Sequence, residues 1–348
     1  MRNVVFVVPY AMESTLRFVR GACALEDVRL SVVSQEPPAR LPENIRSRLT
    51  AHERVADCLD AEQLTRAVRK IAAETGSDVQ ALIGILEPLQ ETLAEVRETL
   101  GIRGMDRREA LNFRDKSRMK DVLRENDVPC AKHALAHNRA EALAFAESCG
   151  YPLVAKPPAG AGARNTLRVE STTELEGYLR TMPPSQQKPL LLEEFIQGRE
   201  HSFDAVSING QHVFHSISHY HPTPLEVMEA PWIQWCVLLP REIAGDEYDD
   251  IRAAGKQALS ALGMVTGMTH MEWFRRKDGS IAVSEVAARP PGAQFTSLIS
   301  YAHDRDFYTD WAKLSVFASR GRGAGSAARR ARSRCRPCAC ACRAERAA

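Results

Sequence analysis

The chain has 348 residues, 44% of them hydrophobic and 26% charged, with 46 Lys plus Arg against 44 Asp plus Glu. That is the composition of a globular protein and excludes a wholly disordered one. The formal charge of +2 is an average: residues 319–348 hold nine Arg and one Glu, so the first 318 residues carry −6, and an acidic body excludes nucleic acid as the main partner.

The length predicts two or three domains. The first apolar run, Val4–Val8, ends at Pro9. It is strand-sized and falls short of the apolar core of a secretory signal, about 7–15 residues followed by a cleavage site. No run reaches the ~20 apolar residues of a membrane span. Cys23, Cys58, Cys130, Cys149 and Cys236 are scattered without short-range pairing. Free thiols in a reducing cytoplasm are therefore expected, with no membrane among the partners.

In chain order, Val4–Val8 and Val28–Val33 read as strands, Val55–Leu59 as a weaker third and Ala81–Leu86 as a fourth. Between them Leu64, Val68 and Ile71 recur at helical spacing within Ala61–Thr75. Pro88 and Gly101 bracket a helix over Leu89–Leu100. This βαβα rhythm predicts a parallel sheet with helices on its faces. After Gly104, Asp115 caps a helix to about Asn126, and a second helix, Ala140–Cys149, stops at Gly150. Strands follow at Pro152–Lys156, Thr166–Val169, Leu190–Ile196, Ser202–Ile208 and His212–Ser218, the last two joined by an Asn209–Gly210 turn. A helix over Glu247–Leu262 precedes a hairpin of Thr269–Arg275 and Ser280–Ala287. Helices near Phe295–Ser300 and Phe307–Val316 close the body. The fold class is α+β with an α/β N-terminal domain.

Three segments carry candidate chemistry. There is no P-loop, and the one dense glycine loop, Pro157–Asn165, lies between strands and opens no helix, so it fails the dinucleotide-binding pattern. Its bare backbone N–H groups can still cover phosphates, with Lys156 just before it as a cation; the bland alternative is a hairpin with a surface lysine. Glu272 and Glu285 fall on the two strands of one hairpin. Adjacent carboxylates repel unless a cation lies between them, and an oxygen-only pair suits Mg²⁺. Arg289 follows four residues after Glu285 and can meet a transferring phosphoryl group. The competing possibility is a pair of solvated rim charges. In the third segment, LLLEEFIQGRE, an apolar strand runs into Glu193, Glu194, Ile196 and Glu200. Such a hinge can offer backbone groups to an adenine edge and a carboxylate to ribose hydroxyls, or be a plain edge strand.

The order of the pieces says more than any one of them. DKSRMK (Asp115–Lys120), VPC, YPLVAKPPAGAGA, LLLEEFIQGRE, HMEWF and SEVAARPPG follow one another over roughly residues 105–305. This series resembles the ATP-grasp superfamily, especially its carboxylate–amine ligase branch, with similarity to biotin carboxylase and the carbamoyl-phosphate synthase large chain. The resemblance implies a pre-grasp α/β domain (1–104), an ATP-grasp N-terminal lobe (105–185), and a C-terminal lobe with the metal site (186–318). It implies ATP and Mg²⁺ (or Mn²⁺) as cofactors, small-molecule carboxylate and amine substrates, and a possible homodimer. Lys116 and Lys156 would contact the phosphates, and the loop Ala159–Thr166, with Gly160, Gly162 and Ala163, would close over them. Glu193 and the backbones of Glu194 and Ile196 would read adenine, and Glu200 the ribose. Glu272 and Glu285 would hold the metal, and Arg289 would steady an acyl phosphate. The family pattern E-x-N-x-R departs here to Glu285-Val286-Ala287-Ala288-Arg289, so Ala287 replaces a metal-binding amide. The implied activity is ATP-dependent amide formation through an acyl phosphate. The alternatives are nucleotide binding without turnover and biotin carboxylase-like activation of bicarbonate.

Two further features stand apart. His212, His215, His219 and His221 crowd one strand, and alternation puts the last three on one face. A transition-metal site is one reading, although their spacing fits no tight zinc pattern; the others are the lining of an acceptor pocket and ordinary strand residues. The Arg/Ala/Cys-rich stretch 319–348 has no apolar periodicity. Its CxxCxCxC spacing allows metal thiolates, but the composition is that of an out-of-frame read of GC-rich DNA, which predicts a disordered tail left by a frameshift or truncation.

Overall fold

A computed structural model describes residues 1–158, 166–230 and 232–318; the expected tail lies outside these. The first unit runs β1 (Arg2–Val7), α1 (Glu13–Cys23), β2 (Val28–Ser34), the single-turn α2 (Glu43–Arg46), β3 (Ala51–Arg54), α3 (Ala61–Thr75), β4 (Ala81–Ile83) and α4 (Leu89–Leu100). Its sheet is parallel in the order β3-β2-β1-β4. Both faces are apolar. Val4, Phe6 and Val8 pack on one side, and Val5 and Val7 pack on the other against Leu64, Val68, Leu89 and Leu93 of α3 and α4. A strand buried on both faces loses its alternation, which is why β1 reads as an unbroken apolar run. The α3 boundaries follow from chemistry at its ends. The Asp60 carboxylate accepts from the N–H groups of Glu62 and Gln63, and Gly76 turns left-handed at φ 62°.

The third strand is not at Val55–Leu59. It is Ala51–Arg54, a polar edge strand paired only with β2 and mostly half-buried. An edge strand with a wet face needs no apolar run, and Val55–Leu59 is instead the descent into α3.

Two helices meet end to end next: α5 (Arg107–Arg114) and α6 (Lys116–Glu125). Asp115 ends the first and caps the second, accepting from the N–H groups of Ser117 and Arg118. The following lobe holds β5 (His133–Ala136), α7 (Arg139–Cys149), β6 (Leu153–Lys156), β7 (Leu167–Val169), α8 (Thr172–Thr181) and β8 (Leu190–Glu194). Its antiparallel sheet, β5-β8-β6-β7, packs Leu153, Ala155 and Leu192 against Leu175 and Leu179 of α8.

The last lobe contains β9 (Gly198–Ile208), β10 (Gln211–His221), α9 (Pro224–Glu229), β11 (Cys236–Leu238), α10 (Asp249–Leu262), β12 (Gly267–Arg276) and β13 (Ile281–Ala287). The antiparallel order is β11-β10-β9-β12-β13. Asn209 and Gly210 both have positive φ, 53° and 76°, as the two-residue hairpin requires. Alternation holds along β9 and β12. Phe203, Ala205, Met271 and Trp273 pack with Ile251, Ala258 and Leu259 of α10, while Glu200, Ser202, Asp204, His270 and Glu272 point the other way. The closing helices α11 (Phe295–Ala302) and α12 (Phe307–Phe317) return to the first unit. Phe18 of α1 meets Tyr308 and Trp311 of α12 edge-on at 4.7 and 5.1 Å. Gly21 permits this approach, since a Cβ there would sit 2.7 Å from the Tyr308 carbonyl carbon. The expected α+β arrangement with a parallel N-terminal sheet is observed.

Candidate functional site

A cavity of about 440 Å³ lies between the β5-β8-β6-β7 sheet and the polar face of the five-stranded sheet. All nine singled-out residues within the described segments line it: Lys116, Lys156, Glu193, Glu194, Ile196, Glu200, Glu272, Glu285 and Arg289. Gly160, Gly162 and Ala163 lie outside the described residues.

The floor is the β12–β13 hairpin. Its register sets Glu272 directly opposite Glu285, with a bulge immediately after Glu272. Lys116, at the first turn of α6, donates to Glu285 Oε1 at 2.7 Å. On the facing sheet Lys156 Nζ lies 2.9 Å from Glu193 Oε2, and Lys120 Nζ lies 3.4 Å from Glu193 Oε1. The Glu193 carboxylate thus grips two lysines. Burial disfavours its charge, but Lys120 and Lys156 outweigh burial and hold its pKa below the ordinary value. Burial likewise opposes the Lys156 ammonium, and Glu193 and Glu285 overcome it, holding its pKa above the usual lysine value. Lys120 has no such surplus: burial dominates, and its pKa falls. Its ammonium donates to the Ser284 carbonyl at 2.7 Å, fixing α6 against β13.

Glu272 is held from behind. His270 Nε2 lies 3.7 Å from Glu272 Oε1, and His270 Nδ1 lies 2.6 Å from the fully buried Asp204, which also accepts from Ser202 at 2.9 Å. Burial opposes the imidazolium, but Asp204 and Glu272 raise the His270 pKa to about 9. Burial and then the charge of Glu272 push the Glu200 pKa well above its ordinary value.

The donors that could hold a cation are therefore oxygens only. Among the described residues no three His, Cys, Asp or Glu side chains converge on a metal position. Two facing carboxylates fit Mg²⁺, which takes one or two carboxylates and completes its shell with water and phosphate oxygens. Ala287 lines the same wall and supplies no donor.

Sequence reasoning missed Glu87. It is 5% exposed, reaches the cavity from the loop after β4, and accepts from Arg114 Nη1 at 2.7 Å and from Arg289 Nε and Nη2 at 3.1 and 2.7 Å. Arg289 Nη1 donates to the Pro290 carbonyl at 3.0 Å. Three of five guanidinium donors are spent, so Arg289 is locked by one edge with its outer fork still to be used. The sequence carries no local signal for this, because Glu87 and Arg289 are 202 positions apart.

None of the four clustered histidines lines the cavity. His215 stacks on Phe203 and His219 meets Tyr248 on the α10 side of the sheet; a register shift between His212 and Phe214 puts His212 on that side too, while Tyr220, next to His219, faces the cavity.

A family model described as an ATP-grasp domain matches residues 149–297. An L-arginine-specific L-amino acid ligase from Bacillus subtilis is 26% identical over 227 residues, covering 64% of this chain and 54% of the relative. The carbamoyl phosphate synthase large chain of Neisseria meningitidis serogroup B is 32% identical over 178 residues, covering 50% of this chain and 16% of the relative. The chain thus spans about half the length of the first relative and a small part of the second. The crystal structure of an L-amino acid ligase from Bacillus licheniformis superposes with a TM-score of 0.74 at 22% identity, covering 91% of this chain and 74% of that one. The facing glutamates, the lysines on both walls and the arginine beside them thus sit in and around residues 149–297, an ATP-grasp domain, and the chain has the ATP-grasp fold.

Proposed function

We propose that the protein is an ATP- and Mg²⁺-dependent ligase that activates a substrate carboxylate as an acyl phosphate for attack by an amine. The carboxylate oxygen attacks the γ-phosphorus of ATP, and the bond to the β-phosphate oxygen breaks, releasing ADP. The amine nitrogen then attacks the acyl carbon, loses a proton and expels phosphate, leaving an amide.

The observation that carries this reading is the cross-strand pair Glu272 and Glu285, facing each other on a cavity wall with Lys116, Lys156 and Arg289 around them. In this scheme Glu272 and Glu285 would hold the metal, which would supply charge neutralisation for the phosphates. Lys156 and Lys116 neutralise further phosphate charge, with Glu193 keeping Lys156 extended into the cavity. The free fork of Arg289 meets the oxygens that become the acyl phosphate. Glu194 and Ile196 supply backbone groups for adenine, and Glu200 a carboxylate contact for the ribose hydroxyls. No nucleophilic side chain is needed; the residues position and neutralise. Five free cysteines among the described residues support a reducing, cytoplasmic setting.

The test is ADP release with a panel of carboxylates and amines, in wild type and in Lys156→Ala and Glu285→Ala. Stimulation by a carboxylate–amine pair, lost in both variants, is the expected result. Wild-type binding and turnover in both variants would falsify the site assignment. Ala287 favours one second outcome, nucleotide binding without stimulated release, because it removes a ligand from the metal wall.

A further inference from the structure

The cavity has an end that the nucleotide scheme leaves unused. Tyr220, Trp235 and Phe295 form a three-ring wall, with ring centroids 5.4 Å (Tyr220–Trp235), 5.7 Å (Tyr220–Phe295) and 5.9 Å (Trp235–Phe295) apart, all tilted or edge-on. All three line the cavity. Between Tyr220 and Trp235 in the chain comes α9, and its Leu225, Val227 and Met228 line the cavity too. The α9 turn is set by a capping box between Thr223 and Glu226, so this cover is a built element.

The wall begins one side chain from the reacting charges. Phe295 lies 5.7 Å from the His270 ring, and His270 contacts Glu272. Phe295 also starts the helix that follows Arg289 in the chain. A small acid whose carboxylate meets the Arg289 fork would therefore project its side chain toward the rings.

Charge excludes the opposite chemistry. A cationic side chain needs an acceptor, yet Glu87, Glu193, Glu194 and Glu285 are each held by a lysine or arginine, and Glu272 by His270. Glu200 is the remaining carboxylate on the wall, and the ligase reading gives it to the ribose hydroxyls.

Resting on the ligase reading, we propose that Tyr220, Trp235 and Phe295 form the side-chain subsite of the activated acid, and that this acid carries an apolar, ring-sized side chain. Apolar area removed from water drives the selection, and the ring quadrupoles favour an edge-on aromatic guest.

The test has two readouts on the full chain. The first is ADP release with phenylalanine, alanine and arginine as the acid. Phenylalanine is expected to exceed both others by at least about tenfold in kcat/KM, the discrimination an apolar pocket supplies. Trp235→Ala should lower the phenylalanine value by about tenfold and leave alanine within about twofold, while Trp235→Phe restores most of the loss. Equal rates for the three acids, a preference for arginine, or an equal loss for alanine in Trp235→Ala overturns the subsite. The second readout is saturation transfer from protein to the phenylalanine ring protons, in the presence of Mg²⁺ and a non-hydrolysable ATP analogue. Transfer in wild type that vanishes in Trp235→Ala supports the subsite even if no acid stimulates ADP release, an outcome that sinks the ligase reading alone. Absence of transfer in wild type overturns the subsite.

Discussion

The parallel sheet and the five-stranded sheet solve opposite problems with the same backbone geometry. In β1 every second residue faces one layer of helices and the rest face another, so Val4, Val5, Phe6 and Val7 are all fully buried. In β9 and β12 one face is equally apolar, but the other carries Glu200, Asp204, His270 and Glu272. A strand of period two can serve a core and a reaction chamber at once, provided its register does not slip. The cost of the second arrangement is electrostatic, because Glu272 and Glu285 would repel without Lys116, Arg289 and His270 nearby. The parallel sheet is thus the scaffold, and the antiparallel one carries polar chemistry on a single face.

Substitutions can break this contrast, beginning with the harshest. A carboxylate placed in the first sheet, Val5→Asp, has no cation or solvent within reach and should cost more than about 4 kcal/mol, enough to abolish a cooperative melt followed by circular dichroism. Glu272→Gln on the other sheet should do the reverse. Its melting temperature should shift by less than about 4 °C, while ADP release falls by roughly 10²–10³-fold. A melt as damaged as that of Val5→Asp would erase the distinction between the sheets.

Glu87 joins the two regions and sharpens the comparison. Replaced by Ala, it frees the inner edge of Arg289, and kcat should fall by roughly 10–100-fold while the KM for ATP holds. Glu87→Gln keeps an acceptor and should recover part of that loss. A change confined to KM in steady-state assays would mean that Glu87 serves nucleotide binding instead.

The smallest effect is a pH slope from the apolar face of the same sheet. Burial lowers the pKa of His215 to about 4 and that of His201 to about 3. The unfolded chain takes up protons near pH 6.5, and the folded chain does not until far lower. Stability is therefore intact above about pH 6.5 and falls as the pH drops toward 4, by at most about 1.4 kcal/mol per pH unit for each histidine. Urea unfolding of His215→Gln at pH 6.5 and pH 5 should show a shallower loss than wild type.

What could be read from sequence divides along physical lines. Ala61–Thr75 was legible because Leu64, Val68 and Ile71 recur at helical spacing, and all three are buried. The placement of Glu272 and Glu285 on the two strands of one hairpin was legible from the short turn between them, but their direct pairing was not, because the bulge after Glu272 shifts the register by one residue. β3 was misplaced because an edge strand with one wet face carries no apolar signal. α5 went unseen because eight residues give barely two turns of periodicity and its buried set includes Asn112. The Glu87–Arg289 contact and the three-ring wall were illegible for a different reason. Each joins segments far apart in the chain, and their proximity exists only after folding.

The α1–α12 contact has a dynamic consequence. The core beneath the first sheet includes Met268, Ile299, Trp311 and Val316, and Arg2 donates to the Val316 carbonyl 314 positions downstream. Chain closure of this kind ties local opening at one place to opening at the other. The amide protons of α12 should then exchange with solvent at the same slow rate as those of β1, in one cooperative unit, although nearly the whole chain separates them.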